Sequence, residues 1–315
     1  MQSEDRVTAY KMPAAIRRIE FMSSEGPMIL VTGASGNVGS AVLTELLRAG
    51  ARVRAMYRSA EDAAKAPAGA NAVIADFADR GSLDQALQGV ERVYLVCSPI
   101  PQLVELESNM IEACEEAGIR QVVLNSALGA GTFDKSFPKW HAAVEGKAKA
   151  SGVSATILRP ESFMQNITMY FAGSINSEGA FYAAVGDAPI GFVSVRDIGA
   201  VAAKVLTSDG HTGKTYTLTG PELLTYAQVA AKLSDVLGRS VLYVNITQQQ
   251  LRQSMLDIGM PSWQVEALAD LQLYYTEGPG GVVTGDVQAV LGREPIGIDE
   301  FLKDSATAFT QAARV

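Results

Sequence analysis

The chain has 315 residues, 48% of them hydrophobic, and 26 Lys and Arg against 34 Asp and Glu give a formal net charge of −8. Such a length buries a large core, in one enlarged α/β domain or in a main domain with a smaller annex. The acidic balance leaves no basic surface for a phosphate backbone or an anionic lipid, which argues against nucleic acid as a direct partner. No apolar run approaches the roughly 20 residues of a spanning helix. Two dispersed cysteines, Cys97 and Cys114, and two dispersed histidines, His141 and His211, provide neither a disulfide framework nor a metal site. A cytoplasmic protein with reduced thiols is expected.

Residues 1–27 are polar and mixed in charge, and lack the apolar stretch of a secretory signal. They read as a flexible tail or an over-long start, with a short docking or regulatory arm as the alternative. From Met28 the pattern alternates. MILVT predicts a strand, and Val38, Val42, Leu43, Leu46 and Leu47 recur at helical spacing before Gly50. ARVRAMY, NAVIAD, ERVYLVC and QVVLNSA predict further strands, with helices over SLDQALQG and LVELESNMIEACEEAG. WHAAVEGKAKASG predicts a helix and SATILRP a sixth strand. PESFMQNITMYFAGSI and EGAFYAAV then leave the core, before GFVSVRDIGAVAAKVLTS and KTYTLTG resume a strand, helix, strand rhythm. After Gly220 the patterns TYAQVAAKLSDVLG, TQQQLRQSMLDIG, PSWQVEALADLQLYY and IDEFLKDSATAFTQAA are mostly helical.

Short apolar strands alternating with amphipathic helices predict a doubly wound α/β fold, a parallel sheet with helices on both faces. The expected division is a Rossmann domain over 28–160 and 191–220, and a smaller, mainly helical C-terminal substrate subdomain over 161–190 and 221–315.

TGASGNVG places Gly33, Gly36 and Gly39 between the first strand and the first helix. Glycine there permits a tight turn and close approach of backbone to a pyrophosphate, while the helix N-terminus offers unpaired N–H groups. Ser35, Asn37 and Val38 fill the turn. The spacing is GxxGxxG, so the older GxGxxG signature is absent. The second strand ends in Tyr57 and Arg58, with no carboxylate where a ribose hydroxyl would be held. Arg58 is suited to a 2′-phosphate, which predicts NADP(H), with NAD(H) bound more weakly; Tyr57 is expected along the adenine. Asp76 and Phe77 after the third strand, and Cys97 and Ser98 after the fourth, stand on the edge where open α/β sheets bind ligands. Cys97 otherwise reads as a small buried residue.

MILVTGASGNVGSAVLTELLRAGARVRAMYRS and FADRGSLDQALQGVERVYLV, with HAAVEGKAKASGVSATILRPESFMQN and FVSVRDIGAVAA, resemble the NmrA-like family of atypical short-chain dehydrogenases/reductases. The resemblance spans nearly everything from Met28 onward, and the ILRP, FMQN and VRDIG segments are its more specific part. It implies a Rossmann fold that binds NADP(H). The family holds quinone oxidoreductases, triphenylmethane dye reductases and non-catalytic NADP(H) sensors, so the fold alone does not settle activity.

In the wider superfamily a Ser and a YxxxK pair handle the carbonyl. Aligned on Gly152, the Lys position falls on His141 and the Tyr position on Phe137, so the motif is lost; Ser126 stands at the Ser position. The resemblance therefore implies Ser126 and His141 as the remaining catalytic candidates. His141 is expected to hold the nicotinamide ribose or donate a proton near neutral pH, oriented by Glu145 one turn on. Phe137, Phe163 and Asn166 are expected at the acceptor. His211, in a surface turn, carries no functional weight, and Lys147 and Lys149 belong to a solvated face. The leading reading is an NADPH-dependent oxidoreductase passing hydride to a planar conjugated acceptor, aromatic or quinonoid. The alternative is a non-catalytic NADP(H) sensor acting through a protein partner.

Overall fold

The computed structural model describes residues 26–278 and 280–310. Residues 1–25 of the polar extension, and the last expected helix from 311 on, lie outside them. The first strands and helices run β1 (Met28–Val31), α1 (Asn37–Arg48), β2 (Arg52–Tyr57), α2 (Ala60–Ala63), β3 (Ala70–Ile74), α3 (Arg80–Leu87) and β4 (Arg92–Leu95). They continue through α4 (Leu103–Glu116), β5 (Gln121–Asn125), α5 (Ser136–Ala150), β6 (Ala155–Pro160), a π-helical turn (Ile167–Phe171), α6 (Ala172–Glu178) and β7 (Ala180–Ala183). The remainder is α7 (Val195–Thr207), β8 (Thr215–Leu218), α8 (Tyr226–Leu237), β9 (Leu242–Asn245), α9 (Gln248–Asp257), α10 (Ser262–Glu277), α11 (Asp286–Leu291) and α12 (Ile298–Asp304).

Seven strands form one sheet in the order β3-β2-β1-β4-β5-β6-β8, every neighbouring pair parallel. The order reverses between β1 and β4, and such a switch point opens a ligand crevice at the carboxyl ends of the strands. Side chains alternate across the sheet. Ile29, Val31, Val53 and Ala55 face α1 and α7, while Leu30, Val93 and Leu95 face α3, α4 and α5. Both faces are covered, which is why the strands read as continuous apolar runs. Helices α1 and α7 meet where a Cβ on Gly199 would come within 2.8 Å of the Ala41 backbone. Asp197 of the VRDIG segment is fully buried; it accepts from the Ile296 backbone N–H at 2.7 Å and pairs with Arg293 at 2.8 Å, tying α7 to the C-terminal chain.

A third apolar cluster draws Met164, Phe181 and Phe192 together with Tyr226, Leu233, Tyr274 and Phe301, and the Phe171 and Phe181 rings stack at 4.8 Å. Here the structure departs from expectation in three places. GFVS is no strand: Val193 and Ile190 make single bridges to Phe163 and Leu224, and Ser194 caps α7. Residues 242–245 form β9, paired in parallel with β7, inside a stretch that reads as helical because its four residues lie between two long helical patterns. The final helix stops at Asp304 and tightens into a 3₁₀ turn over Ala306–Phe309.

Candidate active site

At the β1–α1 turn, Thr32 locks the two strands of the switch point. Its Oγ1 donates to Val96 O at 2.9 Å and accepts from Val96 N at 2.9 Å. Gly33 has φ +57, and a Cβ on it would reach Val96 Cγ1 at 2.9 Å. A Cβ on Gly39 would overlap the Gly33 carbonyl, so that glycine sets the approach of helix to strand. Gly36 differs: it is exposed, in an ordinary extended conformation, and a Cβ would lie 3.3 Å from the Gly33 oxygen. Gly36 caps α1 with no side-chain hydrogen bond, and the first helical bond runs from Ser40 N to Gly36 O at 3.0 Å. The N–H groups of Asn37, Val38 and Gly39 thus precede the helical ladder. Ser35 and Asn37 are exposed beside them, while Val38 sends its side chain into the core. An open, positively polarised helix end on a glycine cradle fits a dinucleotide pyrophosphate.

Beyond β2, Arg58 is exposed and makes no hydrogen bond or ion pair among the described residues. The adjacent Ser59 is committed to α2, accepting from Asp62 N and donating to Asp62 Oδ2 at 3.0 Å. Tyr57 corrects an expectation. It is 5% exposed and packs with Val53 and Ala55 on the α1 face, because strand alternation turns it inward, so its ring does not lie open for an adenine. Phe77 is likewise core, on the opposite face, and Asn109 donates to its carbonyl at 3.0 Å. Asp76 stands exposed, with Oδ1 accepting from Ala78 N at 2.9 Å.

Cys97 is half-buried, and burial followed by the nearby Glu107 carboxylate pushes its thiol up to about 12, which leaves it a protonated packing residue. Ser98 accepts from Ile100 N at 2.8 Å through its carbonyl and shapes the loop. Glu107 itself is 0% exposed, and burial raises its pKa to about 8, with the nearby Cys97 backbone N–H opposing. Sequence reading missed it. The signal was a carboxylate on the apolar stripe Leu103, Glu107, Met110, Ile111, Cys114 of α4.

Ser126 and Glu145 meet, with a consequence for both catalytic candidates. The Ser126 hydroxyl donates to Glu145 Oε1 at 2.7 Å. Arg159 of β6 adds a two-pronged pair to the same carboxylate at 2.7 and 2.6 Å, and Lys149 reaches it at 3.2 Å. Ser126 is buried with its proton committed, so it braces α5 against β5 and β6 instead of facing an acceptor. The same contacts keep Glu145 from orienting His141, with which it forms no hydrogen bond. His141 is 8% exposed, its Nδ1 is buried without a partner among the described residues, and burial lowers its pKa to about 4. Burial disfavours its charged form, which weighs against its expected role as a proton donor near neutrality. His211 is also more engaged than a surface turn suggests, bonding Tyr216 at 2.7 Å and Ser208 at 3.2 Å.

Phe137 is half-buried and packs edge-on to Trp140 with ring centroids 5.4 Å apart. Phe163, which bridges Val193, and Asn166 are also half-buried, and Asn166 borders the π-helical turn, a geometry that recurs at functional sites. Helix α10 caps this end. Ser136 opens α5 at a strained φ of +32 and its hydroxyl donates to Asp270 at 2.6 Å.

The sequence model of the NmrA-like family matches residues 26–302. The chain belongs to the NmrA-like family. It is 35% identical to an NAD(P)H azoreductase of Xenophilus azovorans, over 90% of this chain and 100% of that one. It is 31% identical to quinone oxidoreductase 2 of Escherichia coli, over 80% of this chain and 89% of the other. Among solved structures, an NADPH-dependent quinone oxidoreductase from Escherichia coli complexed with NADPH superposes with a TM-score of 0.81 at 29% identity, covering 88% of this chain and 99% of its own. Among the described residues of this NmrA-like protein, no group of side chains could hold a metal and no helix is long and apolar enough to cross a membrane.

Proposed function

We propose that this NmrA-like protein is an NADPH-dependent reductase that passes hydride to a planar conjugated acceptor, quinonoid or azo-aromatic. The observation that carries the reading is the exposed, uncapped α1 N-terminus on its glycine cradle, with Arg58, just past the end of β2, exposed and without a hydrogen bond or ion pair among the described residues. The activities named for the azoreductase and quinone oxidoreductase relatives support it.

A bound nicotinamide supplies the hydride. The chain does the rest by position. The N–H groups of Asn37, Val38 and Gly39 and the Ser35 and Asn37 side chains hold the pyrophosphate, and Arg58 pairs with the 2′-phosphate. Asp76 presents its outer oxygen to the adenine edge. The Ser126, Glu145 and Arg159 contacts fix α5, so that His141 meets the nicotinamide ribose through Nε2, the ring nitrogen not sealed in the core. Phe137 and Phe163 wall the acceptor and exclude water. The absence of the YxxxK phenol at position 137 is tolerated, because a conjugated acceptor depends chiefly on its alignment with the hydride.

Stopped-flow oxidation of NADPH against a panel of quinones, azo dyes and enones tests the reading. Turnover with at least one acceptor is expected. Tight NADPH binding without oxidation by any of them would favour a sensor.

A further inference from the structure

Glu161 follows the last residue of β6 on the carboxyl edge of the sheet. Its backbone N–H donates to Leu218 of β8 at 2.9 Å, and Leu128, in the loop after β5, donates to Pro160 O at 3.0 Å. The side chain therefore starts where the β5 and β6 loops converge on the acceptor end of the site. It is 4% exposed, and Oε2 has no hydrogen-bonding partner among the described residues. Tyr274 of α10 is 1% exposed, and its hydroxyl also lacks a partner.

After burial itself, the Glu161 carboxylate is the next cause that pushes the Tyr274 and Tyr275 phenols up, which puts the three groups within electrostatic reach of one another. Tyr274 is held in place over the β5 loop, its ring 5.5 Å from that of Phe133 and so close to Gly129, at φ +88, that a Cβ there would come within 2.7 Å. An unpaired buried polar atom costs about 1–3 kcal/mol. Two such atoms at the carboxyl edge of the sheet, the edge on which open α/β sheets bind ligands, point to a polar atom that completes them from outside the chain. Burial raises the Glu161 pKa to about 8, with the Ser162 backbone N–H opposing, so the group carries a proton at neutral pH.

We propose that Glu161 is the proton donor to the reduced acceptor, with the Tyr274 hydroxyl as a second hydrogen-bond donor to the same acceptor atom; this rests on the reductase reading above. When hydride bonds to a quinone, negative charge develops on a carbonyl oxygen. The Glu161 O–H bond breaks, its proton bonds to that oxygen, and the carboxylate recovers a proton from water. NADPH is oxidised to NADP⁺, and the quinone, gaining a hydride and a proton, becomes the hydroquinone.

A cationic triarylmethane dye separates this role from mere structure, because carbocation plus hydride gives the neutral leuco dye and no proton is needed. Menadione and malachite green are each reduced with NADPH by wild type, Glu161→Gln and Tyr274→Phe. For Glu161→Gln, kcat on menadione should fall at least about 100-fold, the lower bound for a general acid, and on the dye less than about threefold. Tyr274→Phe should lose about tenfold on menadione, the worth of one hydrogen bond. In wild type the menadione rate should fall above pH 8, a measurement that stands even where a variant does not fold; the dye comparison is made near pH 6, before hydroxide adds to the cation. Equal losses on both acceptors, or none, overturn the proposal. Wild type reducing neither acceptor removes the reductase reading and this proposal with it. Infrared difference titration of the cofactor-free protein reads the carboxyl independently: a protonated band at pH 7, absent in Glu161→Gln, is expected, and a Glu161 already ionised at pH 7 overturns the assignment.

Discussion

Replacing Gly36 and Gly39 in turn separates what the phosphate turn does for the ligand from what it does for the fold. Gly36 is exposed and extended, and a Cβ meets only the Gly33 oxygen, at 3.3 Å. Gly36→Val should therefore lower stability by no more than about 1 kcal/mol, the scale of a changed N-cap. Its isopropyl group stands where a pyrophosphate must approach the backbone. Losing two hydrogen bonds to a charged group, at about 1.5–3 kcal/mol each, weakens NADPH binding by at least about a hundredfold. Gly39→Ala instead drives a Cβ into the Gly33 carbonyl and to 2.9 Å from the Thr32 oxygen, backbone that Thr32 locks to β4. Overpacking of this kind costs about 1–3 kcal/mol or more, and about 2–4 °C of Tm follows each kcal/mol in a domain of this order. Calorimetric melting and NADPH fluorescence titration read both variants. Gly36→Val binding NADPH within threefold of wild type, or Gly39→Ala melting with wild type, would refute the division.

Arg58→Glu should weaken NADPH by about ten- to a hundredfold and leave NADH nearly unchanged, since a charge-assisted bond is worth about 1.5–3 kcal/mol; fluorescence titration with both cofactors checks it. Glu145→Ala leaves the half-exposed Arg159 and the buried Ser126 unpaired and should cost about 3 kcal/mol, seen in urea unfolding, with turnover falling as α5 loosens. His141, lowered in the fold to about 4, resists protonation that the unfolded chain accepts below about 6.5; stability is whole above that pH and drops as pH falls toward 4, by up to about 3 kcal/mol. His141→Gln should flatten the acid limb of a Tm against pH plot, and should weaken NADPH binding only modestly, by about the 0.5–1.5 kcal/mol of one hydrogen bond. Glu107 runs the opposite way: raised in the fold to about 8, it favours the folded state at low pH and loses that contribution as pH rises from 4.5 through 8, so Glu107→Gln should raise Tm at pH 8 relative to pH 5.

The sheet was legible because buried parallel strands announce themselves as apolar runs such as MILV and QVVLN, and the glycines of TGASGNVG sit where one strand turns into one helix. Side-chain direction at strand ends was not. Tyr57 and Arg58 are neighbours in sequence, yet alternation sends the ring to the core and leaves the guanidinium outside. Spacing placed His141 one turn from Glu145, but not the competitor: Arg159 lies on a different strand, and only the fold reveals that it and Ser126 take the carboxylate first. Glu161 and Tyr274, more than a hundred residues apart, carry no local signal at all, since only α10 crossing the β5 loop brings the phenol to that end of the sheet. β9 was lost for the complementary reason, a strand of four residues whose exposed Leu242 and Val244 pack little and sit between capped helices.

Direct hydride transfer is tested most squarely by isotope. NADPH carrying deuterium at the transferable nicotinamide position is incubated with the protein and a cationic triarylmethane dye in ordinary water, and the leuco product is examined by mass spectrometry. The account predicts deuterium bonded to the central carbon of the leuco dye, transferred from one face of the nicotinamide only. Leuco dye carrying solvent hydrogen at that carbon, or bound NADPH that never loses its label, would contradict it.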